Sequence, residues 1–182
     1  MITTICNFIV VIKQACMPNH DWTQFHLRIP IKARAKAIYD AWTSQRGLES
    51  WFLRKAAFTT KNGVARDPDC TIDIDDTYEW LWHGWSDEMV ERGTILQING
   101  KDSLSFGFGK AGNVKINIDK ENDETLIELT QYDIPTDEAS QVNFYLGCNN
   151  GWLFYLTNLK SILEGGIDLR NRKEELKNVI NS

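Results

Sequence analysis

The spacing of hydrophobic residues in the first part of the chain predicts one strand and two short helices. Apolar and polar residues alternate through Trp22–Ile29, as they do in a half-buried strand, and Pro30 is expected to end it. Between Lys32 and Trp42 the spacing becomes helical, with several alanines that favour a helix. Ser44 is a candidate N-cap for a second helix, because a serine hydroxyl can accept a backbone hydrogen bond there. The apolar positions of that helix would be Leu48, Trp51 and Phe52.

From Lys55 to Tyr132 the apolar spacing has a period of two, which predicts a series of β-strands. Asn99-Gly100, between two of these strands, is a strong hairpin signal because both residues tolerate the positive φ angles of tight turns. Consecutive short strands joined by turns form an antiparallel meander. The predicted strands are Tyr78–Trp82, Met89–Ile98, Ser103–Phe108, Asn113–Ile118 and Thr125–Tyr132.

A long amphipathic helix is predicted near the end of the chain, and Gly165-Gly166 is expected to end it. Its start is open. Thr136 could cap the helix, but Gly147 and Gly151 would then lie inside it at a cost in helix propensity, so the helix could instead begin near Asn149. The residues that share its apolar face are Trp152, Tyr155, Leu156, Leu159, Ile162 and Leu163.

Together these elements predict an α+β domain. Its core would be a curved antiparallel sheet of six or seven strands wrapped around the long C-terminal helix, with two short helices after the first strand. A strongly twisted sheet of this size curls, so space is expected between the sheet and the helix that covers it.

The domain is expected to cover residues 20–166 of the 182. Residues 1–19 are predicted to be an N-terminal extension or a misassigned start, because no basic residue precedes the apolar run before Met17, as a secretory leader would require. A packed extension and a poor leader are the alternatives. Residues 167–182 are highly charged and are predicted to form a C-terminal tail.

Composition and charge narrow the functional classes. With 20 Lys and Arg against 25 Asp and Glu, the net charge of −5 argues against a nucleic-acid partner. No apolar run of 18 residues occurs, so no membrane association is expected. The four cysteines form no CxxC pair, which predicts free thiols in a reducing, cytoplasmic setting and neither a metal site nor a cofactor.

Candidate binding residues come from the aromatic content, which includes seven tryptophans. Strand alternation places Tyr78, Trp80 and Trp82 on one face of the predicted sheet. If that face is concave, these rings line a pocket for an apolar ligand; the alternative is that they fill the core completely. The full set of candidate ligand-binding residues is Tyr78, Trp80, Trp82, Phe106, Phe108, Trp152 and Leu156. No residue is assigned a catalytic role.

Two segments resemble the activator of heat-shock-protein-90 ATPase homologue-like family. They are IPIKARAKAIYDAWTSQRGLESWF near the start and GWLFYLTNLKSILEGGIDLR near the end, and the resemblance covers Phe25–Arg170. That family belongs to the SRPBCC superfamily, whose START-like or helix-grip fold the resemblance implies: a seven-stranded antiparallel sheet gripping a C-terminal helix around a hydrophobic pocket. Members of the superfamily bind lipids, polyketides, hormones or other apolar ligands, and some catalyse reactions.

The resemblance and the aromatic face together favour non-catalytic binding of a small hydrophobic ligand between the sheet and the closing helix. One alternative is a chaperone-linked interaction protein of the stress response, although the separate N-terminal domain with which the eukaryotic co-chaperone stimulates the ATPase has no room in this chain. A second alternative is a cyclase- or hydrolase-type enzyme that uses the same cavity. The protein is expected to be a monomer or a homodimer.

Overall fold

A computed structural model describes residues 20–173, 175, 176 and 179, so the predicted extension of residues 1–19 lies outside the described residues. Within them, the order of elements follows the predicted one. The strands are β1 (Phe25–Ile31), β2 (Lys55–Thr59), β3 (Thr77–Leu81), β4 (Val90–Ile98), β5 (Ser103–Gly107), β6 (Asn113–Glu121) and β7 (Glu124–Tyr132). The helices are α1 (Ala35–Trp42), α2 (Gln45–Trp51), α3 (Glu138–Ser140) and α4 (Gly147–Leu163), with a 3-10 turn at Gly109–Ala111 and a π-helical segment at Gln141–Leu146.

The seven strands form one antiparallel sheet in the order β1-β7-β6-β5-β4-β3-β2. The predicted meander is confirmed, since β2 to β7 pair in sequence and β1 pairs with β7. The first strand runs through Pro30 to Ile31 and does not end at Pro30 as predicted. Proline is tolerated there because β1 is an edge strand, where a missing N–H need not interrupt a ladder.

The two short helices after the first strand are confirmed. The Ser44 hydroxyl accepts a hydrogen bond from the backbone N–H of Gly47 at 3.0 Å, so Ser44 is the N-cap of α2. Both helices turn their apolar faces inward, where the Trp42 and Trp51 rings meet edge-to-face with their centroids 4.6 Å apart. They therefore close one end of the space inside the curved sheet.

The closing helix begins earlier than one of the two predicted starts. Its helical course starts at Glu138, where the Asp137 carboxylate accepts a hydrogen bond from the backbone N–H of Ser140 at 3.1 Å. α4 itself begins at Gly147, close to the predicted start near Asn149, but the helical course continues back to Glu138, where Asp137 and not Thr136 is the N-cap. Gly147 and Gly151 therefore both lie within that course. Each glycine costs about 1 kcal/mol of helix propensity relative to alanine, which only tertiary packing can offset.

The chain after α4 returns to the domain as far as Arg170, which is buried although it falls in the predicted tail. Its guanidinium donates hydrogen bonds to the carbonyls of Glu49, Ser50 and Leu53 at 2.8–3.1 Å, at the end of α2. Among the described residues, no helix is long and apolar enough to cross a membrane.

Candidate functional site

Four of the seven predicted binding residues are buried in the interior, and three of them form a packed layer of aromatic rings. Tyr78, Trp80, Phe106 and Leu156 are all buried. The Tyr78 and Trp80 rings stack with their centroids 3.9 Å apart, and Phe106 meets Trp80 edge-on at 5.3 Å. The Tyr78 hydroxyl donates to the carbonyl of Gly107 at 2.5 Å, which fixes its ring. These rings form the interior wall behind the candidate site and do not line an opening.

The other three predicted residues line an opening between the sheet and the closing helix, which we call the aromatic cleft. Trp82 follows β3, Phe108 follows β5, and Trp152 lies on α4. The cleft has a volume of about 180 Å³ and reaches the surface beside Asn143 and Gly147, which are exposed. Its complete lining is Phe52, Trp82, Phe108, Asn143, Gly147, Cys148, Gly151, Trp152 and Tyr155.

The cleft exists because small residues on the closing helix face large rings on the opposite wall. Gly147, Cys148 and Gly151 fall within about one turn of one another, so they share one side of the helix. A methyl group built on Gly151 would have no atom within 4 Å, which means that its side faces open space. A π-helical segment, Gln141–Leu146, directly precedes α4. Short π-helical segments are common at functional sites.

Hydrogen bonds and ring contacts fix the walls of the cleft. The indole N–H of Trp152 donates to Gln131 Oε1 at 2.8 Å, and Gln131 Nε2 donates to the carbonyl of Ala111 at 2.8 Å. Gln131 is fully buried, so its polar groups are satisfied within this chain of bonds. Phe52 stacks on Trp152 at 5.0 Å and meets Trp82 edge-on at 5.1 Å. The aromatic walls are therefore held in place before any ligand enters.

Among the described residues that line the aromatic cleft, none has a charged side chain. Burial raises the pKa of the Cys148 thiol, with a hydrogen bond to Gln131 opposing it, and burial raises the pKa of Tyr155 to about 12. Both groups are therefore protonated at neutral pH, and a protonated thiol is a poor nucleophile. In the described part of the chain, no group of three or more His, Cys, Asp or Glu is placed to hold a metal ion.

A larger depression of about 1300 Å³ lies at the opposite end of the molecule, between the start of α1 and the β4–β5 and β6–β7 turns. Charged side chains of both signs dominate its rim, and several are already paired. Lys36 pairs with Asp40 at 2.6 Å, and Lys120 pairs with Asp123 at 3.4 Å. The described lining of this depression holds five Lys or Arg and five Asp or Glu, whereas the described lining of the aromatic cleft holds none, so we favour the smaller aromatic cleft as the site for an apolar ligand.

Six residues that line the cleft were not among the predicted binding residues: Phe52, Asn143, Gly147, Cys148, Gly151 and Tyr155. Phe52 and Tyr155 were recognised as apolar positions of helices, which is a packing signal. The two glycines carried the more useful signal, because glycine inside an amphipathic helix costs stability and so indicates a close approach or an open space.

The curved sheet, the long closing helix and the cleft between them define a helix-grip, START-like domain of the SRPBCC type. A family model described as "Activator of Hsp90 ATPase homolog 1-like protein" matches residues 32–164, and the chain belongs to that family. No curated protein matches the chain significantly.

Solved structures share the fold at low sequence identity. The Aha1 dimer from Colwellia psychrerythraea is 18% identical, with 79% of this chain and 97% of that chain covered and a TM-score of 0.58. Protein SSP2350 from Staphylococcus saprophyticus is 16% identical, with coverages of 81% and 96% and a TM-score of 0.61. DynU16, a putative protein in the dynemicin biosynthetic locus, is 14% identical, with coverages of 82% and 50% and a TM-score of 0.62. At these identities the similarity establishes the fold alone.

Proposed function

We propose that this protein binds a small hydrophobic ligand in the aromatic cleft, with Trp82, Phe108 and Trp152 contacting it directly. The observation that carries this proposal is the open space beside Gly151, opposite these fixed aromatic walls. A preformed apolar opening binds an apolar molecule because both surfaces leave water, and rigid walls lower the entropy lost on binding. Tyr78, Trp80, Phe106 and Leu156 would support the site from behind.

The proposed role is binding without catalysis. The two ionisable groups in the cleft, Cys148 and Tyr155, are both protonated at neutral pH. General acid–base catalysis needs a group whose pKa lies near the working pH, and nucleophilic catalysis needs an activated nucleophile. The cyclase- or hydrolase-type alternative has less support for these reasons.

The size of the cleft limits the ligand. A volume of about 180 Å³ is below the roughly 300–1,000 Å³ typical of ligand pockets, so only part of a larger molecule would fit inside. A molecule with one or two fused rings therefore suits the cleft better than a long lipid chain does.

The test uses a side chain that fills the open space. In Gly151→Leu, the new isobutyl group would enter the cleft without meeting neighbouring atoms at its first carbon. We expect it to weaken binding of the neutral fluorescent probe N-phenyl-1-naphthylamine by about tenfold or more, or 1.4 kcal/mol. Asn150→Leu is the matched control, because Asn150 is the adjacent, exposed position on the same helix and does not line the cleft.

Probe titrations of both variants and the unaltered chain decide the proposal, with circular dichroism to check that each variant is folded. The proposal fails if the unaltered protein does not bind the probe. It also fails if Gly151→Leu and Asn150→Leu bind the probe equally well.

The chaperone-linked alternative is favoured by one feature, an exposed aliphatic row on the closing helix made by Val142, Leu146 and Leu153. Apolar side chains clustered at a surface are typical of interaction sites. Measuring the ATPase rate of the heat-shock chaperone with and without this protein tests that alternative. The homodimer, for which the Colwellia dimer is a precedent, and a cytoplasmic location stay predictions.

A further inference from the structure

A second cleft adjoins the aromatic cleft and shares Trp82 with it; we call it the acidic cleft. It has a volume of about 350 Å³ and lies along the loop that leads into β4. Its lining consists of Trp82, Trp85, Glu88, Met89, Val90 and Glu91. It therefore combines two indole rings and a thioether with two carboxylates, and none of its lining residues is Lys, Arg or His.

Glu91 is the unusual member of this lining, because it lies on the inner face of the sheet. In the β3–β4 register Glu91 is the partner of Trp80, and cross-strand partners project to the same face. Trp80 is 1% exposed, so that face is the apolar interior. The Glu91 carboxylate lies against Gly109, where an added methyl carbon would fall 2.3 Å from Oε1. A half-buried carboxylate thus stands beside the packed aromatic layer.

No cation of the described chain neutralises Glu91 or Glu88 by an ion pair. The nearby arginines are engaged elsewhere. Arg54 donates to the carbonyl of Trp82 at 3.0 Å and pairs with Asp87, and Arg92 pairs with Glu79 on the outer face at 2.7 Å. Burial raises the pKa of Glu91, partly offset by a hydrogen bond from the backbone N–H of Arg92. A desolvated carboxylate without a counter-ion costs stability, which a cationic ligand would recover.

The aromatic lining specifies which kind of cation fits. Trp85 is 56% exposed and Met89 is 53% exposed, so their apolar surfaces are open to a ligand. Indole faces attract organic ammonium groups through the ring quadrupole, whereas a hydrated metal ion prefers a shell of oxygen ligands. Within the part of the chain that the structure describes, the acidic cleft offers two carboxylates and no third ligand of the kind that a metal would need.

We propose that the acidic cleft binds the ammonium group of an organic cation whose apolar part lies in the aromatic cleft, with Trp82 between the two parts. This inference rests on the proposed function, since it specifies the ligand of the same site as an apolar amine or quaternary ammonium compound.

The test compares two probes that differ in charge. Binding of 1-naphthylmethyl-trimethylammonium and of neutral 1-ethylnaphthalene is measured by quenching of tryptophan fluorescence and by calorimetry. We expect the unaltered protein to bind the cation about tenfold more tightly or better, and Glu91→Gln to remove that preference while changing the neutral probe by less than about twofold. Glu79→Gln is the matched control, because Glu79 is exposed on the outer face of the same strand pair.

Each outcome bears on a different statement. If the neutral probe binds and the cation binds no better, the ammonium site is overturned and the proposed apolar binding stands. The same conclusion follows if Glu91→Gln keeps the preference or if Glu79→Gln removes it. If only the cation binds, in a Glu91-dependent way, the inference is supported and the neutral ligand is overturned. If neither probe binds, both proposals fail. A thermal melt of Glu91→Gln checks folding, with an unchanged or higher midpoint expected because a desolvated charge is removed.

Discussion

The two ends of the closing helix cover the same sheet in different ways. Towards its C-terminal end, the helix is packed against the domain, with Asn158 and Leu159 at 0% and 1% exposed. Towards its N-terminal end, Gly147 and Gly151 leave the aromatic cleft open, and a π-helical segment precedes them. The contrast shows that one helix can be packed at one end and form the wall of a cleft, the proposed binding site, at the other.

Polar contacts reinforce the packed end. Asn158 donates to the carbonyl of Trp51 at 2.7 Å, and its side-chain oxygen accepts from the N–H of Leu169 at 2.7 Å. Arg170, whose side chain is 1% exposed, pairs with Asp168 at 2.7 Å and reaches the end of α2. At the open end, the bond from the Trp152 indole N–H to Gln131 holds one wall of the cleft. Stability is therefore expected to concentrate at the C-terminal end and ligand binding at the N-terminal end.

A large loss of stability is expected for Leu159→Ala at the packed end. Leu159 is fully buried at the packed end, so the change should cost about 2–5 kcal/mol of unfolding free energy, as removal of buried leucines does. Urea unfolding measures it. Leu153→Ala on the same helix is the control, because Leu153 is 55% exposed and should change stability by less than about 0.5 kcal/mol. Equal costs for the two variants would contradict the packed end described here.

Arg170→Ala should cost about 3 kcal/mol, because it breaks a buried charge pair and leaves carbonyl groups of α2 without a partner. Arg172→Ala is the control. Arg172 pairs with the same Asp168 but is 60% exposed, and exposed pairs contribute at most about 1 kcal/mol. Similar losses in both variants would mean that the burial of Arg170 does not stabilise the domain.

The pH dependence of the unfolding free energy of Arg170→Ala gives a second measure of how the Arg170–Asp168 pair contributes to stability. Burial alone would raise the pKa of Asp168, but hydrogen bonds from Arg170 and Arg172 hold it well below its usual range. A carboxylate with a depressed pKa in the folded state stabilises the fold above about pH 4 and loses that contribution as the pH falls further. Unfolding free energies measured between pH 5 and pH 2.5 should therefore fall less steeply in Arg170→Ala than in the unaltered protein, over roughly that range.

At the open end, Trp82→Ala is expected to cost no more than about 3 kcal/mol, the low end for loss of a tryptophan, because it enlarges an existing opening. Trp80→Ala, two residues earlier on the same face, should cost the full 3–5 kcal/mol or so because it empties the packed layer. Binding of N-phenyl-1-naphthylamine should change strongly in Trp82→Ala. If the two tryptophans destabilise equally and no probe binds to the unaltered protein, the cleft does not function as a site.

The smallest expected change is a gain. Gly151→Ala places a methyl group in open space on a helix, so it should stabilise the fold by about 0.5–1 kcal/mol. Gly93→Ala is the contrasting variant, since its methyl carbon would fall 2.3 Å from the carbonyl oxygen of Gly107 and should destabilise. Thermal midpoints of both variants check the pair. A loss of stability in Gly151→Ala would show that the cleft is already filled.

Local sequence was sufficient for most of the architecture. Strand alternation and turn residues predicted the meander, and the Ser44 cap and its apolar positions predicted α2, because these signals depend on neighbours within a few residues. Local sequence predicted the end of β1 and the start of the closing helix less well. Pro30 is compatible with a strand only at a sheet edge, and the glycines of the closing helix are compatible with a helix only where tertiary packing offsets their cost.

The candidate site needed the tertiary structure. Tyr78, Trp80 and Trp82 follow one another on a single face, and nothing in their own spacing separates packed rings from cleft-lining ones. What separates them is the residue opposite. The packed layer meets bulky side chains such as Trp152, which Phe106 contacts, whereas Trp82 lines a cleft with Gly147 and Gly151, about seventy positions later in the chain. Likewise, Arg170 in a charged segment is buried because the end of α2 presents three carbonyl groups to it. Volume and hydrogen-bond complementarity between distant segments arise only when the chain is folded, whereas periodicity and capping are already present in the sequence.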